Sequence, residues 1–361
     1  MKLLIQPGEG VAPLVQAIDA AESSIQIVIF RFDESEIERA LAKAVDRGVR
    51  VEALIAHVNG SGEEKLRALE QRLLADGVIV ARTPDRLARY HGKYMVIDRR
   101  VLYLLSFNLT HHDIDFKRGF GLITESKELV EEAIKVFEAD VQRKPYEAGC
   151  PKLIVSPVNA RKELSAFIEG TKKELLIYDP KISDPGIVKL LEACLKDGVD
   201  IKIIGSVTKK SSKLSARAPG DVQLHTRTMI RDRKIAFIGS QSLRTMELDG
   251  RREVGAIFDD AAAVKRLATV FESDWEAAAQ PDETRPAAQV AKKVAKALAK
   301  DLPPVAPVLE SAIKEVAGQE PVKLDPEVMQ ETLKDAVKEA VKDAVRDVVE
   351  KAVEHEVRRG G

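Results

Sequence analysis

Two stretches of the chain carry the same spaced set of polar residues, and their types suit work on a phosphate ester. Each stretch begins with a histidine, has a cation two residues later and an aspartate five residues after that, and ends on small polar residues. The members are His91, Lys93, Asp98, Ser106 and Asn108 in the first, and His225, Arg227, Asp232, Ser240 and Ser242 in the second. Every member of the first set has its counterpart at one constant offset, so the set recurs once in each half of the chain.

The chemistry follows from the residue types. Cations and hydrogen-bond donors neutralise phosphoryl oxygens, while an imidazole attacks phosphorus or donates a proton. The apolar runs YMVI and VLYLL favour two strands, and residues two apart share a strand face. We therefore expect His91 and Lys93 to project together, and Ser106 and Asn108 to join them from the next strand. Each part of the set, taken alone, is common at solvated strand edges and in turns. We predict that Asp98 and Asp232 are structural turn residues. The duplication of the whole set in the same order nevertheless favours a functional site.

The duplicated pattern resembles the HKD motif of the phospholipase D superfamily, in which His-x-Lys is followed by Asp and then by Gly-Ser-x-Asn. The likeness covers nearly all of residues 1–279, including SIQIVIF, DRGVRVEALIA, REVGAIFDD and FESDW. It implies an α/β protein of two similar lobes around one pseudo-twofold active site. It also implies that one histidine forms a phosphohistidine intermediate and the other protonates the leaving alcohol, without a metal or another cofactor.

The chain departs from that pattern at three positions. Leu105 stands where the family has glycine in the first copy, Arg227 replaces the second lysine, and Ser242 replaces the second asparagine. Arginine keeps the positive charge and binds phosphate well, but as a rigid planar fork and not as a point charge.

A further asymmetry concerns the carboxylate that the family usually carries beyond each histidine to orient the imidazole of the opposite lobe. Glu253 follows His225 in the second half, whereas the same step taken from His91 leads to Gly119. We predict that Glu253 orients His91 and that nothing equivalent holds His225. This makes His91 the nucleophile and His225 the general acid. The alternative for Glu253 is a surface ion pair with Arg251 or Arg252.

Bulk composition makes some classes of protein less favoured. The net charge of −1 gives no global attraction to nucleic acid or to an anionic membrane, and a content of 4% aromatic residues makes a stacking platform for single-stranded nucleic acid less favoured.

The cysteines and the apolar runs indicate a compartment. Cys150 and Cys194 are widely spaced and fit buried thiols in a reducing compartment. The first residues have too short an apolar run for a signal peptide, and no stretch approaches the roughly 20 apolar residues of a membrane span. We expect a cytoplasmic protein, with peripheral contact at the inner face of the membrane.

The order of patterns predicts three regions: a first lobe at 1–145, a second lobe at 151–279 and an Ala/Lys/Glu/Val-rich helical tail at 280–361. Strand and helix patterns alternate in both lobes, which predicts sheets flanked by helices. We interpret His111, His112 and Asp113 as a solvated or substrate-facing loop and not as a metal site, since adjacent histidines point apart on a strand. A basic loop with Lys209, Lys210, Lys213 and Arg217 is either solvated or a contact for anions.

The sequences of two tail segments predict contacts with a membrane surface or with another protein. Residues 286–300 are basic and amphipathic without an acid, which favours peripheral contact with lipid. Residues 326–358 carry a narrow apolar stripe at helical spacing, which favours packing on a partner or self-association. Disorder is the alternative for both.

The function we predict is a phospholipase D-type phosphodiesterase that hydrolyses or transfers phosphatidyl groups of phospholipids. One alternative is an endonuclease on the same site. The other is a binding or scaffold protein with a degenerate second motif. The residues that suggest it are Arg227, Ser242 and Gly119.

Overall fold

A computed structural model describes residues 1–57, 63–83, 89–208, 214–220 and 222–278. Both lobes belong to one compact unit. The tail at 280–361, with the segments 286–300 and 326–358, lies outside the described residues, as do Lys209, Lys210 and Lys213.

The first lobe is a mixed sheet with helices on its faces. Its strands are β1 (Lys2–Gln6), β2 (Ser24–Ile29), β3 (Arg50–Ile55), β4 (Ile79–Arg82), β5 (Tyr94–Ile97), β6 (Val101–Leu105) and β7 (Lys117–Thr124). Its helices are α1 (Ala12–Asp19), α2 (Ser35–Asp46), α3 (Glu63–Ala75), α4 (His111–Phe116) and α5 (Lys127–Val141). The strand order is β1-β7-β6-β5-β2-β3-β4. Strands β2, β3 and β4 run parallel, while β1 pairs antiparallel with β7 at the edge.

The second lobe repeats this plan. Its strands are β8 (Leu153–Val155), β9 (Glu174–Ile182), β10 (Asp200–Val207), β11 (Ala216–Arg217), β12 (Gln223–Leu224), β13 (Arg227–Arg231), β14 (Ile235–Gly239) and β15 (Val254–Phe258). Its helices are α6 (Ala160–Glu169), α7 (Pro185–Lys196), α8 (Thr245–Asp249) and α9 (Ala261–Ala277). The sheet order is β11-β10-β9-β13-β14-β15-β8, and β12 crosses over to pair with β7 of the first lobe. The predicted α/β fold of two similar lobes is therefore confirmed.

The motif aspartates lie in the tight turns of two equivalent hairpins. Asp98 in the β5–β6 turn and Asp232 in the β13–β14 turn both have positive φ, as does the arginine that follows each. The Asp98 carboxylate accepts hydrogen bonds from the backbone N–H groups of residues 22, 23 and 24, and Asp232 does the same for residues 172, 173 and 174. Each aspartate thus fixes the hairpin to the neighbouring strand.

A shared core joins the two lobes. One apolar cluster contains Phe120 and Phe137 from the first lobe together with Tyr178 and Phe271 from the second. Two cross-lobe ion pairs lie beside it: Arg252 Nη2 donates to Asp140 Oδ1 at 2.9 Å, and Arg118 Nε donates to Asp274 Oδ2 at 2.7 Å. The two arginines are separated along the chain by the same offset as the motif histidines, and so are the two aspartates. The packing between the lobes therefore follows the same internal symmetry as the motifs.

Candidate active site

His91 and Lys93 lie in the extended connection that leads into β5. The backbone N–H of His91 donates to the carbonyl of Arg252 at 2.7 Å, which ties this connection to the second lobe. Lys93 Nζ donates to the carbonyl of His91 at 2.8 Å. The sequence predicted that both residues project from a strand face. In the structure they lie just before β5, which begins at Tyr94.

His225 and Arg227 repeat this geometry in the second lobe. The backbone N–H of His225 donates to the carbonyl of Arg118 at 3.1 Å, and Arg227 Nη1 donates to the carbonyl of His225 at 2.7 Å. Each histidine is therefore held at the boundary between the lobes by the backbone of the opposite lobe. The side chains of His91 and His225 keep 11% and 16% of their surface exposed, so neither ring is sealed beneath packed side chains.

Glu253 reaches across the boundary to His91. Its Oε2 lies 2.8 Å from His91 Nδ1, and the carboxylate has no exposure to solvent. Phe30 packs against the same imidazole edge-on, with ring centroids 4.5 Å apart. The two neighbouring arginines form ion pairs with other carboxylates: Arg252 contacts Asp140, and Arg251 contacts Glu247. The contact leaves Nε2 as the nitrogen of His91 that can meet a substrate.

His225 is held differently, and the prediction that nothing orients it was wrong. Its Nδ1 lies 3.0 Å from the carbonyl oxygen of Ser106, and its Nε2 lies 3.2 Å from Asp113 Oδ2. Asp113 was placed in a loop by sequence, but it sits in the short helix α4, with 3% exposure. The run HHDIDF is too short to show helical periodicity. A carboxylate five residues after Asn108, matched by Glu247 after Ser242, was the available signal.

The four predicted phosphate ligands differ in what they contact. Asn108 Nδ2 donates to Asp113 Oδ2 at 2.7 Å and lies 3.4 Å from His225 Nε2, so it belongs to the site. Ser106 Oγ accepts from the N–H of Phe120, and Ser240 Oγ accepts from the N–H of Val254. Both hydroxyls are buried and join strand ends, so their geometry fits positioning of the motif more than contact with phosphate.

Ser242 turns away from the position that Asn108 occupies in the first lobe. Its hydroxyl is bonded to the Asp179 carboxylate and lies 3.2 Å from the carbonyl of Lys181. Asp179 is buried, and it also accepts from the N–H of Leu243 at 2.7 Å. The assignment of Ser242 as a phosphate ligand is therefore replaced by a structural contact within the second lobe.

The protonation of His91 and Glu253 follows from their burial. Burial lowers the pKa of His91 well below its usual value, and the charges of Lys93, Arg89, Arg227 and His225 lower it further. Burial also raises the pKa of Glu253 to about 7, with the Glu247 carboxylate adding to the effect. The lowered pKa of His91 favours its neutral ring, the form in which an imidazole nitrogen has a lone pair for attack.

The cations of the site come from both lobes. Burial lowers the pKa of Lys93 well below its usual value, while the Glu253 and Asp113 carboxylates oppose that shift and Arg227 adds to it. Arg227 therefore lies within electrostatic reach of both Lys93 and His91. An anionic phosphodiester bound between the two cations would stabilise both charges, since opposite charges at close range favour the ionised forms.

Neither a cluster of metal-binding side chains nor a membrane-spanning helix is found within the described residues. The described ranges contain no group of three or more His, Cys, Asp or Glu side chains arranged to hold a metal ion. Within the same ranges, no helix has the length and apolar character that crossing a membrane would need.

Comparison with known proteins places the chain in a family. The sequence pattern of a family described as "Cardiolipin synthase, PLD-like domain" matches residues 14–141 and 164–275, one match in each lobe. The chain belongs to the phospholipase D-like family. Its two motifs are thus the paired motifs of a phospholipase D-like protein.

Curated relatives match one part of this phospholipase D-like chain. The mitochondrial cardiolipin hydrolase of Mus musculus is 30% identical over 125 residues, which cover 35% of this chain and 55% of that protein. The human protein of the same name is 31% identical over 125 residues, covering 35% and 48%. The matched part spans about half the length of these relatives.

Solved structures share the fold. The polyphosphate kinase of Porphyromonas gingivalis superposes with a TM-score of 0.64 at 19% identity, covering 75% of this chain and 49% of that one. The phosphatidylserine synthase of Haemophilus influenzae Rd KW20 superposes with a TM-score of 0.56 at 14% identity, covering 80% and 91%. At these identities the likeness shows a shared fold alone.

Proposed function

We propose that this phospholipase D-like protein is a phosphodiesterase that hydrolyses or transfers phosphatidyl groups through a phosphohistidine on His91. The observation that carries the proposal is the contact between His91 Nδ1 and Glu253 Oε2 at 2.8 Å. The Nδ1–H group donates to the carboxylate, so the lone pair on the neutral ring is on Nε2. Family membership and the curated relatives named cardiolipin hydrolases support a phospholipid as the substrate.

The proposed reaction has two steps. His91 Nε2 attacks phosphorus while Lys93 and Arg227 neutralise the phosphoryl oxygens, and the leaving alcohol takes a proton from His225. Water or an acceptor alcohol then loses a proton to His225 and attacks the phosphohistidine, which returns His91 to its neutral form. Throughout, Glu253 stabilises the positive charge that develops on the His91 ring, a role whose loss costs on the order of 10⁴ in the serine-protease example.

The substrate class is tested by comparing lipid and nucleic acid directly. Phosphatidylglycerol and cardiolipin in mixed micelles are incubated with the wild-type protein, and the products are separated by thin-layer chromatography, with and without glycerol as acceptor. Single-stranded DNA is incubated in parallel. We expect lipid turnover that is lost in His91→Ala and retained in His111→Ala, a control whose ring is largely exposed. DNA cleavage without lipid turnover would support the nuclease, and binding without turnover would support the scaffold.

The nucleophile is tested by trapping. Brief reaction with lipid labelled at phosphorus, acid-free quenching and peptide mapping should recover the label on the peptide that contains His91. Recovery on His225 in the wild-type protein would reverse the assignment.

A further inference from the structure

Each lobe places a buried carboxylate five residues after its motif Asn or Ser. Asp113 accepts a hydrogen bond from the backbone N–H of Asn108 at 3.2 Å, and Glu247 accepts one from the N–H of Ser242 at 2.6 Å. The two carboxylates are related by the same chain offset as the motif histidines, and they are 3% and 1% exposed. They occupy equivalent positions, but their other contacts differ.

In the first lobe the carboxylate contacts the reactive edge of the opposite histidine. Asp113 Oδ2 lies 3.2 Å from His225 Nε2 and accepts from Asn108 Nδ2 at 2.7 Å, while Oδ1 accepts from Lys117 Nζ at 2.6 Å. The other ring nitrogen of His225 faces the carbonyl of Ser106, which can only accept. Both nitrogens of this ring therefore face oxygen acceptors, and a second ring proton would find an acceptor already in place.

In the second lobe the equivalent carboxylate is occupied by arginines. Glu247 is paired with Arg244 and with Arg251, whose Nη1 is 3.3 Å from Oε1. Burial opposes ionisation of Glu247, but Arg244, Arg227 and Arg251 outweigh it and lower its pKa to about 2. Within the described residues, the side-chain hydrogen bond of His91 is the one at Nδ1 with Glu253, on the far side of the ring from Nε2. The two histidines are thus unequal: the carboxylate lies at Nδ1 of His91 and at Nε2 of His225.

We propose that Asp113 is a positioning residue that stabilises a proton on Nε2 of His225 when a phosphodiester is bound, and so makes His225 the general acid. The inference rests on the proposed phosphodiesterase function and adds a residue to it. During the first step the P–O bond to the leaving group breaks, the N–P bond to His91 forms, and the Nε2 proton of His225 moves to the leaving oxygen. During the second step the attacking water returns a proton to Nε2, and the N–P bond breaks.

The charges around His225 explain why an anion is needed there. Burial lowers the pKa of His225 to about 3, and Arg227, Lys117 and Lys93 lower it as well, while Asp113 opposes all of them. A bound phosphodiester offsets the cations Lys93 and Arg227, which leaves Asp113 as the carboxylate that faces the protonated ring. The leaving oxygen can replace Asp113 as the acceptor at Nε2 of His225, since Asp113 still accepts hydrogen bonds from Asn108 and Lys117.

The kinetic test uses two kinds of leaving group with the full chain. Bis(p-nitrophenyl) phosphate releases p-nitrophenolate, which leaves without a proton, whereas phosphatidylglycerol and the dinucleotide thymidylyl-thymidine release an alcohol that needs one. We expect Asp113→Asn to slow the alcohol-releasing reactions about 10²-fold or more, a loss typical of general acid catalysis, and to slow the p-nitrophenyl ester far less. The control is Asp115→Asn on the same helix, whose carboxylate pairs with His111. Equal losses on both kinds of substrate, or no loss, would overturn the proposal.

A second measurement does not depend on turnover. The chain has six histidines, so the imidazole nitrogen signals of His225 can be assigned by NMR with a His225→Gln variant as reference. With diethyl phosphate as a stable diester, we expect the pKa of His225 to fall by at least about one unit in Asp113→Asn and to stay unchanged in Asp115→Asn. An unchanged pKa in Asp113→Asn would refute the role of Asp113. Failure to cleave any lipid would bear on the proposed function alone.

Discussion

At the scale of single residues, the site depends on which imidazole nitrogen is occupied. Glu253 binds His91 at Nδ1, whereas Asp113 lies beside Nε2 of His225. Motif spacing could indicate both histidines and both cations, because these are the residue types that phosphoryl chemistry requires. The matched positions of Asp113 and Glu247 were a signal in the spacing, but spacing could not show that Asp113 contacts His225, because that contact joins residues more than a hundred positions apart in the chain.

The titration of Glu253 predicts the acid side of the pH–rate profile. With the pKa of Glu253 raised to about 7, the carboxyl is protonated below that pH and ionised above it. In the protonated pair a hydrogen occupies His91 Nε2 or the ring is charged, and neither form can attack. We expect kcat/KM to rise with pH through about 7 and this limb to disappear in Glu253→Gln, together with most of the activity. If the acid limb persists unchanged in Glu253→Gln, the titration of another group causes it.

Ser242 gives a prediction that separates stability from substrate binding. Its hydroxyl donates to the buried Asp179 carboxylate, and hydrogen bonds to charged groups are worth about 1.5–3 kcal/mol. Ser242→Ala should lower the free energy of unfolding by about that amount and leave KM unchanged. Ser206→Ala, at an exposed serine bonded to a backbone carbonyl, should change either quantity little. A raised KM without loss of stability would restore Ser242 as a phosphate ligand.

At the scale of elements, packing beside strand β7 determines whether a side chain fits at position 119. Gly119 on β7 pairs with Gln6 on β1, and a Cβ at this position would lie 2.7 Å from Cδ1 and 3.0 Å from Cβ of Phe107. The equivalent residues in the second lobe are Glu253 and Gln241. The lobe that lacks the orienting carboxylate is therefore the one in which a phenyl ring fills the space beside the strand.

This contact predicts a coupling between β7 and the chain after β6. Gly119→Ala should destabilise the protein by about 1–3 kcal/mol, because it overpacks a filled site. In a Phe107→Ala background the same substitution should cost much less, and a double-mutant cycle by denaturant unfolding measures the difference. Gly149→Ala, outside the sheet, serves as the comparison. Additive losses would show that Phe107 is not what excludes a side chain at 119.

Most elements could be predicted from sequence, and those that could not have a physical reason. Helices such as α2 and α5 have an apolar face at helical spacing, and β2 is an apolar run, so their patterns indicate them. Strand β1 also has a clear pattern, but its partner β7 comes near the end of the first lobe, and no local pattern specifies that pairing. The short helices α4 and α8 have six and five residues, too few for periodicity, and tertiary contacts hold them.

At the scale of the whole molecule, the two lobes are one structural unit because their boundary is buried and charged. Arg252 and Asp140 are 3% and 0% exposed, and Tyr90 Oη also donates to Asp140 at 3.0 Å. Removing one partner of a buried pair leaves an uncompensated charge, which costs about 3–5 kcal/mol. The stability of each lobe should therefore depend on the other.

Asp140→Ala tests that dependence. We expect it to lower the free energy of unfolding by about 3–5 kcal/mol and to weaken hydrogen-exchange protection of β2 and β9 together. Glu138→Ala, on the same helix α5, removes an exposed pair with Arg99 and should cost about 0–1 kcal/mol. Loss of protection confined to β2 would mean that the lobes unfold independently.

The ring of Phe107 beside Gly119 also bears on how the halves of a duplicated gene diverge. A single substitution that restored an acid at 119 would meet that ring before it could contribute to catalysis. An acid at 119 therefore needs a smaller residue at 107 as well, and until both positions change the two histidines stay held by different groups.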